Sequence, residues 1–71
     1  MNGLKFETRA LSPRQREILG LLANGLDNKT IARALGISNK TVKNHLTFLF
    51  KKINAQSRTQ AAIWAIRENV V

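Results

Sequence analysis

Between Ser38 and Asn54 stand Lys40, Lys43, Asn44, Thr47 and Lys51, with no acid among them. Wound into a helix at about 100° per residue, these five fall opposite a stripe of Val42, Leu46 and Leu49. A face that is only solvated usually mixes Glu with Lys, because opposite charges at i, i+4 stabilise a helix. Here the three lysines have no partner within the helix. Asn pairs with adenine through two hydrogen bonds, Lys pairs with guanine O6 and N7, and Thr offers a hydroxyl or a methyl. Lys43, Asn44 and Thr47 are therefore candidates for touching base edges, with Lys51 a candidate for a phosphate.

Other chemistry is scarce. His45 is the single histidine and the chain has no cysteine. That excludes a disulfide framework and a cysteine/histidine metal site. No carboxylate or second histidine stands beside His45 to orient it, so it reads as a packed, hydrogen-bonded structural residue. No catalytic residues, no metal and no cofactor are expected, and 71 residues leave little room for a substrate cavity.

Charge gives the partner class. Twelve Lys and Arg face four acids, a formal net charge of +8. From Gly36 onward Lys40, Lys43, Lys51, Lys52, Arg58 and Arg67 oppose Glu68 alone. Such a domain concentrates a polyanion around itself, whereas the plainer reading of the charge is solubility. A basic protein-interaction or membrane-surface module is the rival from another class, but the apolar stripe beside the basic face is needed for a core. The apolar runs fall far below the ~20 residues that span a bilayer, and the start lacks the apolar stretch of a signal peptide. A hydrophobic content of 44% fits a folded chain.

The elements that must hold the basic face are legible from their ends. Residues 1–10 have no periodicity and read as a flexible tail or linker remnant; the folded domain is expected over 11–71. Ser12 caps a first helix, Pro13 sits at its first position and Gln15 closes a capping box. This helix runs to about Asn24, and Gly25 supplies a left-handed residue. Asp27 or Asn28 caps a second helix, which carries Ile31, Ala32 and Leu35 and stops at Gly36. Ser38 caps the third, whose Val42, Leu46, Leu49 and Ile53 follow i, i+4, i+7, i+11 spacing. Asn54 ends it. Ser57 and Gln60 form a second capping box, and a fourth helix runs from Arg58 to about Asn69. The chain is all-α. A short helix, the turn Gly36-Ile37-Ser38 and a longer helix is the layout of a helix-turn-helix. Ala32 is small where the two backbones cross, and Gly36 suits the turn.

At these residues the chain resembles a known family. Leu11-Ser12-Pro13-Arg14-Gln15-Arg16-Glu17-Ile18-Leu19, Gly25-Leu26-Asp27-Asn28-Lys29-Thr30-Ile31-Ala32, Leu35-Gly36-Ile37-Ser38 and Lys40-Thr41-Val42-Lys43-Asn44-His45-Leu46 are similar to the LuxR-type (NarL/FixJ, GerE-like) DNA-binding domain. Phe50-Lys51-Lys52-Ile53 and Ser57-Arg58-Thr59-Gln60-Ala61-Ala62 extend the likeness. The resemblance implies a four-helix domain of a bacterial transcription regulator. Its third helix is the recognition helix in the major groove, and it binds as a dimer on paired half-sites. It places Lys43, Asn44 and Thr47 against bases, and Asn28, Lys29, Lys40 and Thr41 near phosphates. Helix N-termini favour anions, which agrees. It also implies a Glu17–Arg58 pair and a cytoplasmic, nucleoid-associated protein, with RNA polymerase as a further candidate partner.

Two positions depart from the family's pattern. Gln60 stands where Glu is frequent, and Phe48 where many members are polar; Phe48 either packs on the fourth helix or leaves its ring exposed. The fourth helix is apolar nearly all round, more than one core face needs. Thr59, Ala62, Ile63 and Ile66 are the candidate dimer surface, and Trp64 is either core or interface. A promoter-reading segment of a sigma factor is the rival within the same class. It would bind a promoter element only together with polymerase.

Overall fold

The structure, a computed structural model, describes residues 11–70. The tail expected over 1–10 and the last residue of the expected domain lie outside the described residues. Four helices follow one another: α1 Pro13–Ala23, α2 Asn28–Leu35, α3 Asn39–Ile53 and α4 Arg58–Arg67. Each is started and stopped by the same local chemistry. Ser12, Asp27, Ser38 and Ser57 have extended backbones, and each side chain accepts the backbone N–H three residues on. That satisfies one of the donors left over in a first turn.

The stops are as uniform. Gly25, Gly36, Asn54 and Asn69 have positive φ. The residue after each donates back five positions: Leu26 to Leu21, Ile37 to Ala32, Ala55 to Phe50 and Val70 to Ala65, at 2.9–3.2 Å. This is the Schellman closure, and its usual apolar contact is present, because all four donors are partly buried against the core. A Cβ added to Gly36 would meet nothing within 4 Å, while φ is +68°. Gly36→Ala should therefore cost only the left-handed backbone penalty, about 1 kcal/mol. The expected readout is a lower urea midpoint at an unchanged m-value; a loss of several kcal/mol would reveal a packing role.

α1 touches each of the other helices, and Ile18 and Leu19 on it are fully buried with Ile31, Val42 and Leu49. Ala32 is buried where α2 meets α3, as the turn requires. Gln15, also buried, accepts from the Ser12 N–H at 2.9 Å and from Lys52 Nζ at 3.2 Å. One amide oxygen thus closes the α1 capping box and ties α1 to the end of α3. The second box expected does not close. Ser57 Oγ accepts from the Gln60 N–H, but Gln60 Oε1 accepts from the Gln56 N–H at 2.6 Å instead of from Ser57.

α4 has an inverted burial pattern. Ala61 and Ala65 are fully buried, while Ile63 is 46% and Ile66 61% exposed. The alanines let α4 lie close against α1, its most extensive neighbour. Trp64 is partly buried against the core.

Candidate nucleic-acid interface

Val42, Leu46, Leu49 and Ile53 are buried and anchor α3 along one stripe. The opposite arc presents Lys40, Lys43, Asn44, Thr47 and Lys51, all exposed. Burial of the stripe fixes the roll of the helix and therefore holds the arc outward. α3 has no acidic residue, and among the described residues Lys40, Lys43 and Lys51 pair with no carboxylate. The sequence-predicted set is thus brought together on one surface of α3, the second helix of a helix-turn-helix.

The start of α3 is built from two hydroxyls. Ser38 Oγ accepts the Thr41 N–H at 3.0 Å and lies 2.8 Å from Thr41 Oγ1. Lys40 stands exposed in the same first turn. Thr47 Oγ1 donates to the Lys43 carbonyl at 3.0 Å, one turn back along the helix.

The start of α2 is braced from α4. Arg58 Nη1 donates to Asn28 Oδ1 at 2.8 Å, and Nη2 donates to the Leu26 carbonyl at 2.9 Å. Engaging the amide oxygen of Asn28 leaves its two N–H donors, the half that can meet a phosphate. Lys29 beside it is exposed. Asn28, Lys43, Thr47 and Arg58 line one cleft of about 280 Å³ floored by Leu46 and Phe50. Arg58 is the residue that sequence reasoning misassigned. The expected Glu17–Arg58 pair is absent: Glu17 lies 3.4 Å from Arg14, its i−3 neighbour, and the Arg58 fork is committed to the α2 start. His45 is partly buried, but the hydrogen bond expected of it is not among those the described residues make.

Asp27, which caps α2, has its carboxyl held low. It accepts the Thr30 backbone N–H at 2.8 Å, and that bond, then the Thr30 hydroxyl, Arg58 and Lys29, holds its carboxyl below the ordinary 3.8. A carboxyl lowered in the folded state contributes stability above its unfolded pKa. That contribution is lost as pH falls through the lowered value. Asp27→Asn keeps a capping oxygen that does not titrate. Its urea midpoint should fall less than the parent's between about pH 5 and about pH 2. An equal fall in both would deny the cap this role.

On α4, Thr59, Ala62, Ile63 and Ile66 follow i, i+3, i+4, i+7 spacing and form one face, opposite the buried Ala61 and Ala65. Ala62 is partly buried and the other three are exposed. Phe48, left open between packing and exposure, is 61% exposed.

Among the described residues, four helices, a helix-turn-helix and an acid-free basic α3 define a DNA-binding domain. The family described as bacterial regulatory proteins, luxR family (GerE), matches residues 9–65, and the chain belongs to it. Its relatives are regulators. The nitrate/nitrite response regulator protein NarL of Escherichia coli (strain K12) is 45% identical over 64 residues, covering 90% of this chain and 30% of NarL. The CsgBAC operon transcriptional regulatory protein of the same strain is 52% identical over 59 residues, 83% of this chain and 27% of that protein. The transcriptional regulatory protein LiaR of Bacillus subtilis (strain 168) is 44% identical over 70 residues, 99% of this chain and 32% of LiaR. The chain spans about 30% of the length of such relatives. It is a LuxR-family DNA-binding regulator domain. Among the described residues no helix is long and apolar enough to cross a membrane.

Proposed function

We propose that residues 11–71 are the sequence-specific effector domain of a bacterial transcription regulator, acting in the cytoplasm at the nucleoid. α3 enters the major groove of double-stranded DNA. The observation that carries this is the exposed arc of Lys40, Lys43, Asn44, Thr47 and Lys51, without an acid, on a helix whose other stripe is buried. Lys43, Asn44 and Thr47 meet base edges. Asn28, Lys29, Lys40, Thr41 and Lys51 meet phosphates on either side. RNA polymerase is a further candidate partner.

One short recognition helix reads too few base pairs to find a site in a genome. Two copies related by a two-fold axis read half-sites about 34 Å apart on one DNA face. The Thr59, Ala62, Ile63 and Ile66 face of α4 supports this pairing because it leaves isoleucines uncovered while alanines fill the core. The patch is small and each copy carries +8, so free copies stay mostly monomeric and pair on DNA, which relieves the repulsion.

Selection of bound duplexes from a random pool should return paired half-sites with that spacing. Recovery of unrelated sequences would contradict specific reading. Lys40→Ala should then weaken selected and random duplexes by similar factors. It should also lower the slope of log affinity against log salt by about one unit. A loss confined to the selected duplex would move Lys40 from phosphate to bases.

A further inference from the structure

We propose that the exposed face of α3 reads thymine methyl groups through the Thr47 methyl and the Phe48 ring. This rests on the duplex-reading role proposed above. Two separate observations carry it. The first is the bond from Thr47 Oγ1 to the Lys43 carbonyl at 3.0 Å. Such a bond selects one of the two rotamers that threonine adopts in a helix. The hydroxyl proton is committed inside the helix, and what Thr47 keeps for a ligand is its methyl and an oxygen lone pair. Donating to a base would break the bond; touching an apolar group would not.

The second observation is Phe48. Its ring is 61% exposed on a helix whose other large apolar residues are buried or partly buried. Round the helix it lies about 40° beyond Asn44, and Thr47 lies about 60° to the other side. Exposed Lys51 follows it by three residues, and exposed Lys40 and Lys43 precede it on the same helix. A protein partner with an apolar face would have to bring that face among these lysines. A duplex supplies phosphates for the lysines and an apolar group for the ring together.

The C5 methyl of thymine is that group, the apolar substituent a base presents in the major groove. Asn44, between Thr47 and Phe48, suits adenine, and each adenine is paired with a thymine. Pairing the Asn44 amide with adenine N6 and N7 therefore brings a methyl beside its two neighbours.

The test is a duplex selected by the parent chain, with its thymines replaced singly by deoxyuridine, which removes the methyl and nothing else. At one or more positions the parent should bind about fourfold more weakly, the factor for one buried methyl-sized group. Thr47→Val, which keeps the methyl and loses the hydroxyl, should retain the thymine preference. Thr47→Ser and Phe48→Ala should each lose it at one position. Phe48→Ala changes an exposed side chain, and circular dichroism confirms its folding. A parent indifferent to every deoxyuridine, or Thr47→Ser and Phe48→Ala variants that keep the full preference, would overturn the proposal. Asn44→Ala separates this from failure of the underlying role. If it lowers the preference for selected over random duplexes, α3 still reads bases and the methyl contact alone has failed. If that ratio is unchanged in Asn44→Ala and in Lys43→Ala alike, the base-reading role proposed for these residues falls, and the methyl contact that rests on it falls too.

Discussion

Ile63→Glu, in a chain whose helix content is unchanged by circular dichroism, is expected to lose cooperative occupancy of a duplex carrying two half-sites. Affinity for that duplex should fall by about 100-fold, the order of gain that linking two binding events supplies. Binding to a single half-site should stay weak and unchanged. The reason lies in the two-fold axis. A self-complementary contact sets the same patch of one copy against its partner, so the introduced carboxylates meet each other in an apolar seam. Ile63 is 46% exposed and Ile66 61%, whereas the core side of α4 is built from Ala61 and Ala65. Removing Ile63 therefore takes little from the fold. Ala62→Glu should act in the same direction, with some loss of stability because Ala62 is partly buried. Variants that occupy both half-sites as cooperatively as the parent would show that α4 is not the dimer surface.

Asn44→Ala and Lys43→Ala should each cost about 1–3 kcal/mol on the selected duplex and less on random DNA. Both side chains are exposed on a helix held by its other face, so their loss removes contacts to the ligand and leaves the core intact. The contrast with Lys40→Ala is the useful measurement. A phosphate contact is lost equally from every duplex, and a base contact is lost from the preferred one. Equal factors on selected and random duplexes for both substitutions would remove Lys43 and Asn44 from base reading.

What was legible in the sequence is what local chemistry decides. Ser12, Ser38 and Ser57 announced the helix starts, and Gly25, Gly36 and Asn54 the stops, because each acts on backbone groups within five residues. The roll of α3 followed from the spacing of Val42, Leu46, Leu49 and Ile53, all buried as the stripe requires. Arg58 was not legible. Its acceptors are 30 and 32 residues away, and one is a backbone carbonyl that leaves no mark in side-chain pattern. Glu17 had a nearer cation in Arg14, one helical turn back.

The outer face of α4, with Ile63 and Ile66, was legible as apolar surface beyond what one core face needs, and both isoleucines are exposed. The place of Trp64 was not legible, because only the close approach of α4 to α1 decides that it is partly buried. The second capping box was misjudged by one residue, since the N–H groups of Gln56 and Ser57 are adjacent donors for the Gln60 side-chain oxygen and sequence spacing does not separate them. Thr47 left its hydroxyl and methyl open as alternatives until its bond to Lys43 was visible, because rotamers are set by three-dimensional context.

The most direct test of the central claim, that α3 is the DNA-reading surface, is a nuclear magnetic resonance titration of the 71-residue chain with a selected duplex. Backbone amide shifts should move most from Lys40 to Lys51, with a second group at Asn28, Lys29 and Thr30, while Glu17 to Ala23 on α1 stay near their free positions. Shifts centred on α1, with the Lys40 to Lys51 amides unmoved, would contradict it.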